Sequence, residues 1–191
     1  MADPKETLVR YLQGARDAIL WKLDGLSEYD ARRPLTPTGT NLLGLVKHLA
    51  SIELGYFGLT FGRDPGIDLP WYSDDAEVNA DMWATPEESG EWVVGLYRRA
   101  WDHAAGTFAA LDLDSPGVVP HWSPPDNQVT LHQMLVHVAT ETHRHAGHAD
   151  ILREMIDGAA GFLVASSNLP DDGFDWATYV AKVESAAAAF R

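Results

Sequence analysis

The segment Thr130–Gly158 constrains this chain most, because it predicts a long helix with a polar stripe on one face. Thr130 and Gln133 form a capping pattern at the start, and Gly158 can take the left-handed conformation that ends a helix. At about 100° per residue, four ionisable side chains fall within an arc of roughly 80°. They belong to His137, Glu141, His145 and His148.

Met134 and Leu152 lie beside this stripe and mark its face as inward. Burying a charged or unpaired polar group is costly, so each of the four side chains needs a partner. A single histidine on such a face is usually a satisfied core residue, but four aligned groups favour a shared cation. The stripe therefore predicts a metal site or a catalytic polar cluster inside a helical bundle, in preference to a purely structural network.

The spacing of apolar residues predicts further amphipathic helices before and after this segment. They are expected over 4–26, 40–62, from a capping box at 85–88 to about 111, and over 175–190. Proline-rich irregular loops are expected over 62–85 and 112–128, and no strand is expected. The predicted fold is all-α: a four-helix bundle with an additional C-terminal helix, in one domain spanning 1–191.

The composition limits the classes of partner. A formal net charge of −14, from 28 acidic and 14 basic residues, disfavours nucleic acid and anionic membranes. The absence of cysteine excludes disulfides and a cysteine nucleophile, and it suits a cytoplasmic protein. No signal peptide and no bilayer-spanning stretch are recognised, so a soluble cytoplasmic protein is expected.

The identity of the ligands stays open at this level. A third ligand must come from another helix, and His48 is the remaining histidine at the edge of a predicted core face; Glu53 lies near the other edge. His132 and His143 point away from the stripe, while His103 and His121 have no motif around them. The pairs that can chelate are Glu141 with His145, His145 with His148, and His137 with Glu141.

Other metal and nucleophile motifs do not match. A di-iron bundle needs two Glu-x-x-His motifs and further glutamates, which the predicted second and fourth helices do not supply. The order of Glu141 and His145 differs from the His-Glu-x-x-His order of zinc proteases. Ser166 and Ser167 lack a glycine elbow, so no side-chain nucleophile is predicted.

Two segments resemble the metal-binding helices of the DinB superfamily of four-helix bundles. The segment 44–53, followed by Tyr56 and Phe57, is similar to the second helix of that family. The segment 136–154 is similar to its later metal-binding helix, particularly in the branch associated with mycothiol. The resemblance implies that His48, Glu141 and His145 hold the metal. Two histidines are commonest on the later helix, and the glutamate at 141 resembles the His, Glu, His set of mycothiol-dependent maleylpyruvate isomerases.

Imidazole and carboxylate ligands suit zinc, with nickel or iron as alternatives. Hydrogen bonds from neighbouring groups set the tautomer of such ligands, and His137, His148 and Glu53 are the candidates. The resemblance places His148 in this supporting role. Three aromatic residues in the predicted loops are weaker candidates for lining a substrate site: Trp71, Tyr72 and Trp122.

The function that the resemblance implies is a thiol S-transferase or isomerase acting in detoxification. A low-molecular-weight thiol such as mycothiol would bind the metal as thiolate and attack a small electrophile. The cosubstrate would supply the sulfur, which agrees with the missing cysteine. Two alternatives stay open: a metal-dependent hydrolase using bound water, and a non-enzymatic metal-binding or stress-response protein. A homodimer is expected, because bundle exteriors with leftover apolar stripes often pair.

Overall fold

The computed structural model describes residues 3–73, 75–171 and 173–191. Within those ranges the chain is mostly helical, and the all-α prediction is confirmed. The helices are α1 (Pro4–Trp21), α2 (Glu28–Arg32), α3 (Leu42–Phe57), α4 (Gly90–Ala110), α5 (Leu131–Asp157) and α6 (Trp176–Ala188). Short 3₁₀ turns lie at Leu59–Phe61 and Pro70–Tyr72.

A small antiparallel sheet interrupts the predicted 112–128 loop. Strand β1 (Pro116–Val118) pairs with β2 (Gln128–Thr130), with Gly117 opposite Val129. Three-residue strands are too short for the alternation by which strands are recognised, so the sequence did not predict them. The sheet leads directly into the N-cap of α5 at Thr130.

The chain forms two compact units, one reaching Ala160 and the other comprising Gly161–Arg191. In the larger unit, α5 packs against α1 and α3, and α3 packs against α4. Leu12 and Ile19 of α1 are buried, and Phe57 meets Phe108 of α4 with ring centroids 4.8 Å apart. These contacts bring α3 and α5, the two helices with predicted ligands, side by side.

Helix α3 is the most apolar of the bundle helices. The stretch Leu42–Phe61 is long and apolar enough to cross a membrane, which corrects the expectation that no stretch qualifies. In the structure 78% of that window is buried inside the protein. A helix that is packed against neighbours on all sides is hydrophobic all round. The apolar composition of α3 is therefore that of a core helix.

Helix ends follow the sequence signals at α5 but not at α4. The Thr130 hydroxyl accepts a hydrogen bond from the Gln133 backbone N–H, and Gly158 ends the helix at φ 79°, as predicted. The predicted helix start at 85–88 is wrong: Ser89 caps α4 instead. The Glu88 carboxylate accepts hydrogen bonds from the Thr85 N–H and from Lys47 of α3. Residues 85–88 therefore form a turn that is bonded to α3.

The smaller unit contains the predicted C-terminal helix. Asp175 caps α6 by accepting from the Thr178 N–H, which confirms the predicted start. No residue of α6 is buried. Phe174, Trp176 and Tyr179 contact one another with ring centroids 4.8 to 5.9 Å apart, and Trp176 meets both other rings edge to face.

Candidate metal centre

Side chains of α3 and α5 converge where the two helices pack together. His48 of α3 and His145 of α5 lie with ring centroids 5.0 Å apart, and Glu141 lies one turn before His145. One ligand atom from each of the three residues lies within 4.8 Å of the other two. The structure thus brings together the three residues that the DinB resemblance implied as ligands.

An aspartate that the sequence did not single out fixes the orientation of His48. The Nδ1 atom of His48 lies 2.6 Å from Oδ2 of Asp81, which belongs to the segment between α3 and α4. This hydrogen bond lowers the pKa of Asp81 against the opposing effect of burial, so the carboxylate is ionised and accepts. The neutral tautomer that donates from Nδ1 to this carboxylate has its lone pair on Nε2, which lies 3.8 Å from Glu141.

The segment that presents Asp81 is tied to α3. The buried Lys47 ammonium donates to the backbone carbonyls of Ala80 and Trp83, each at 3.0 Å. Asn41, the N-cap of α3, donates to the Met82 carbonyl at 3.2 Å. Gly44 permits this approach, since a Cβ there would lie 1.8 Å from the Met82 oxygen. Asp81 is held in place by contacts on both sides.

His145 lies between two polar partners. Its Nε2 atom is 3.0 Å from the Glu141 carboxylate, and its Nδ1 atom is 3.3 Å from Nδ1 of His148. Burial is the main cause of its lowered pKa, followed by nearby His48, while Glu141 opposes the shift. The neutral imidazole is therefore favoured, and this is the form that binds a metal.

His137 lies on the same face of α5, within an aromatic group rather than against the three converging residues. Its ring centroid is 4.8 Å from Tyr56 and 5.3 Å from Trp122. His121 also contacts Tyr56, at 5.8 Å. A cavity of about 550 Å³ beside this group is lined by His137 and Glu141, together with other residues from the first half of α5.

Glu53 differs from its predicted role beside the metal ligands. It is fully buried, and its carboxylate pairs with Arg16 of α1 through two hydrogen bonds. Burial raises the pKa of this carboxyl group, and Arg16 opposes the shift. Both oxygens are occupied by one guanidinium, so Glu53 joins α1 to α3 rather than orienting a ligand.

The predicted loop aromatics have different surroundings. Trp71 is buried and donates from Nε1 to the Ser51 hydroxyl at 2.8 Å, so it packs in the core, contrary to the prediction. Tyr72 lines a cavity of about 300 Å³ together with Tyr56 and His121. Trp122 contacts Tyr56 and His137 but does not line that cavity.

The donor set fits a divalent metal. Two imidazoles and a carboxylate, contributed by facing helices of a bundle, are a common arrangement for zinc and for similar transition metals. The hydrogen bond to Asp81 leaves Nε2 of His48 directed at the other donors. His145 has one nitrogen facing Glu141 and the other facing His148. Three protein ligands also leave coordination positions for a further group, as in catalytic sites.

The fold and these donors define a helical bundle with a candidate His, Glu, His metal centre. The model of the mycothiol-S-transferase family matches residues 7–158. The chain therefore belongs to this DinB-like family, and the family resemblance stated from the sequence is confirmed.

A solved structure has the same fold at low sequence identity. It is described as the crystal structure of the conserved protein of locus from Enterococcus faecalis, and it is 15% identical to this chain. The match covers 83% of this chain and all of that one, with a TM-score of 0.65. No curated protein matches this sequence.

Sequence reasoning missed Asp81, Tyr56 and His121 as members of the site. Asp81 lies in an acidic, irregular segment with no periodicity to indicate which carboxylate turns inward. Tyr56 was named as part of the family-like second helix, and His121 had no surrounding motif. A weak signal existed for Tyr56, because it follows His48 by eight residues and so lies on the same helix face.

Proposed function

We propose that this protein is a metal-dependent thiol S-transferase that joins a low-molecular-weight thiol, such as mycothiol, to a small electrophile. The main support is the convergence of His48, Glu141 and His145 in a chain that belongs to the mycothiol-S-transferase family. Zinc is the metal that we expect, with nickel and iron as alternatives suited to the same ligands.

A divalent metal at this centre would act as a Lewis acid that favours the thiolate form of a coordinating thiol. Asp81 keeps the proton of His48 on Nδ1, and His148 can accept from Nδ1 of His145 when Nε2 is a ligand. In the transfer, the thiol loses its proton and its sulfur forms a bond to the electrophilic carbon. The leaving group departs with the bonding electron pair.

The thiol is proposed to occupy the cavity of about 550 Å³ that Glu141 borders. The polar groups that line it can bond the hydroxyl and amide groups of a sugar-linked thiol, and none of the lining residues that the structure describes is lysine or arginine. They are contributed by His132, Gln133, His137, Thr140 and Glu141. A cysteine-free chain needs this external sulfur.

We also propose a cytoplasmic location and a homodimer, without nucleic acid or membrane as a partner. The net charge of −14 supports the exclusion of phosphate-rich partners, and a soluble thiol cosubstrate suits the cytoplasm. Analytical ultracentrifugation tests the dimer, and a monomer at micromolar concentration contradicts it.

The transferase proposal is tested with metal-loaded protein, mycothiol and 1-chloro-2,4-dinitrobenzene. We expect a thioether product and chloride release that depend on protein, thiol and metal. The metal-stripped protein and the His145→Ala variant serve as controls and should lose this activity. Consumption of the electrophile without thiol incorporation would favour the hydrolase alternative. Purified protein that takes up no divalent metal would contradict a metal-dependent mechanism.

A further inference from the structure

We propose that the cavity beside Tyr56 binds an uncharged aromatic group of the electrophilic substrate. The inference rests on the proposed transferase function and adds a substrate class to it. The cavity has a volume of about 300 Å³ and lies between α3, the Pro70–Tyr72 turn and the loop carrying His121. Its walls include Ile52, Gly55, Tyr56, Leu59, Tyr72 and His121.

The cavity lies next to the candidate metal centre along α3. Ile52 and Tyr56 follow His48 by four and eight residues, so all three lie on one face over successive turns. Tyr56 also contacts His137, and His137 borders the neighbouring cavity together with Glu141. A molecule in the smaller cavity is therefore close to a thiol in the larger one.

The lining of the smaller cavity disfavours charged ligands. Among the residues that the structure describes, no lysine, arginine, aspartate or glutamate lines it, and aliphatic side chains and aromatic rings make most of its wall. Burial raises the pKa of the Tyr72 phenol, and the nearby Asp81 carboxylate adds to the shift, so this phenol is neutral. The Asp81 carboxylate close to Tyr72 is negative and repels an anion.

The size and polar atoms of the cavity fit a substituted ring. A volume of about 300 Å³ is at the lower end for small-molecule sites and suits one or two rings. The Tyr56 hydroxyl and Nε2 of His121 are 3.4 Å apart, so their hydrogen bond is weak and both atoms can bond a polar substituent. Edge-to-face contacts with Tyr56 and Tyr72 favour an aromatic ligand.

Gly55 keeps this space open. A Cβ built there meets no heavy atom within 4 Å, so packing does not require glycine at this position. Glycine inside a helix nevertheless costs about 0.5–1 kcal/mol relative to alanine. Gly44 on the same helix differs, because there a side chain would collide with the Met82 backbone. The glycine at 55 is therefore explained by the cavity that it borders.

The test measures binding to the metal-free protein by isothermal titration calorimetry, because a carboxylate probe could otherwise bind the open positions of the metal. The probes are 1,3-dinitrobenzene, which has no leaving group, and its anionic counterpart 3,5-dinitrobenzoate. We expect the neutral probe to bind about tenfold or more tightly than the anion. Gly55→Leu, which fills the cavity, should weaken the binding of the neutral probe by about the same factor.

Gly95→Leu in α4 is the matched control, since a Cβ there meets only the tip of the Arg99 side chain, at 3.7 Å, and the variant should leave binding unchanged. Leu59→Trp provides a second cavity-filling variant at a half-exposed position, in case Gly55→Leu does not fold. Unchanged affinity in a folded cavity-filling variant, or equal affinity for the two probes, overturns the inference. Failure of thiol transfer with intact probe binding would instead contradict the proposed function alone.

Discussion

Two polar residues of α3, His48 and Glu53, lie five positions apart and have opposite surroundings. The side chain of Glu53 is 0% exposed and is paired with Arg16, whose side chain is 4% exposed. The side chain of His48 is 16% exposed, and its partners Asp81 and Glu141 are also partly open to solvent. We call Glu53 with Arg16 the closed pair, and His48 with Asp81 and Glu141 the open group. The closed pair can only hold helices together, whereas the open group has room for a metal and a substrate.

The largest effect expected from this comparison is on the closed pair. Glu53→Ala leaves the Arg16 guanidinium buried without its partner, which should lower the free energy of unfolding by about 3–5 kcal/mol. Urea denaturation of the metal-free protein measures the loss. The double variant Glu53→Leu with Arg16→Met should recover most of it, because no buried charge remains. A loss below about 1 kcal/mol for Glu53→Ala would place this pair among weak surface interactions.

A large effect on metal affinity, with little on stability, is expected at the open group. His145→Ala removes a proposed ligand and should weaken zinc binding by about 100-fold or more. His148→Ala removes only a hydrogen-bond partner of that ligand, so a loss of about tenfold is expected. Competition with a chromophoric chelator measures both. A larger loss of zinc affinity for His148→Ala than for His145→Ala would indicate that the metal binds one turn further along α5.

A smaller loss of affinity is expected when the partner of His48 is changed. Asp81→Ala should weaken zinc binding by about 10–100-fold, because Nδ1 of His48 loses the acceptor that fixes its tautomer. Asp81→Asn keeps an acceptor and should restore part of the affinity, which distinguishes positioning from a general loss of structure. If the alanine and asparagine variants bind zinc equally, the hydrogen bond does not position His48.

The smallest effect expected is a pH dependence of stability at the same residue. The His48 hydrogen bond lowers the pKa of Asp81 below its usual value of 3.8, so the unfolded chain binds this proton more readily than the folded one. The stabilisation is complete above that value and is lost as the pH falls through the folded pKa. Without metal, the free energy of unfolding of the native protein should be about 1 kcal/mol larger than that of the Asp81→Asn variant at pH 7.

That difference should shrink as the pH falls below about 4, where the native carboxyl group becomes protonated. Thermal unfolding of both proteins between pH 3 and pH 7 measures it. A difference that is constant over this range would show that the ionised form of Asp81 has no preferred partner in the folded protein.

The repeating pattern of apolar residues was sufficient to predict the longer helices, but not the five-residue helix α2. The cap at Thr130, the end at Gly158 and the C-terminal helix follow from local chemistry, and the structure has them where the sequence indicated. The predicted start of α4 was wrong because the carboxylate of Glu88 also accepts from Lys47 of another helix, 41 residues earlier in the chain. Local capping rules contain no information about such a partner.

Ligands and their supporting residues differ in how far sequence alone could identify them. Glu141 and His145 are one turn apart on a single helix, so the helical repeat places them together before any tertiary contact is known. His48 was a candidate as the remaining histidine on a predicted core edge, and the family resemblance supported it. The sequence could not show that it reaches the other two, because the angle and register between two helices are set by packing. Only the tertiary structure identified Asp81 as the partner of His48 and Arg16 as the partner of Glu53, since each pair joins distant parts of the chain.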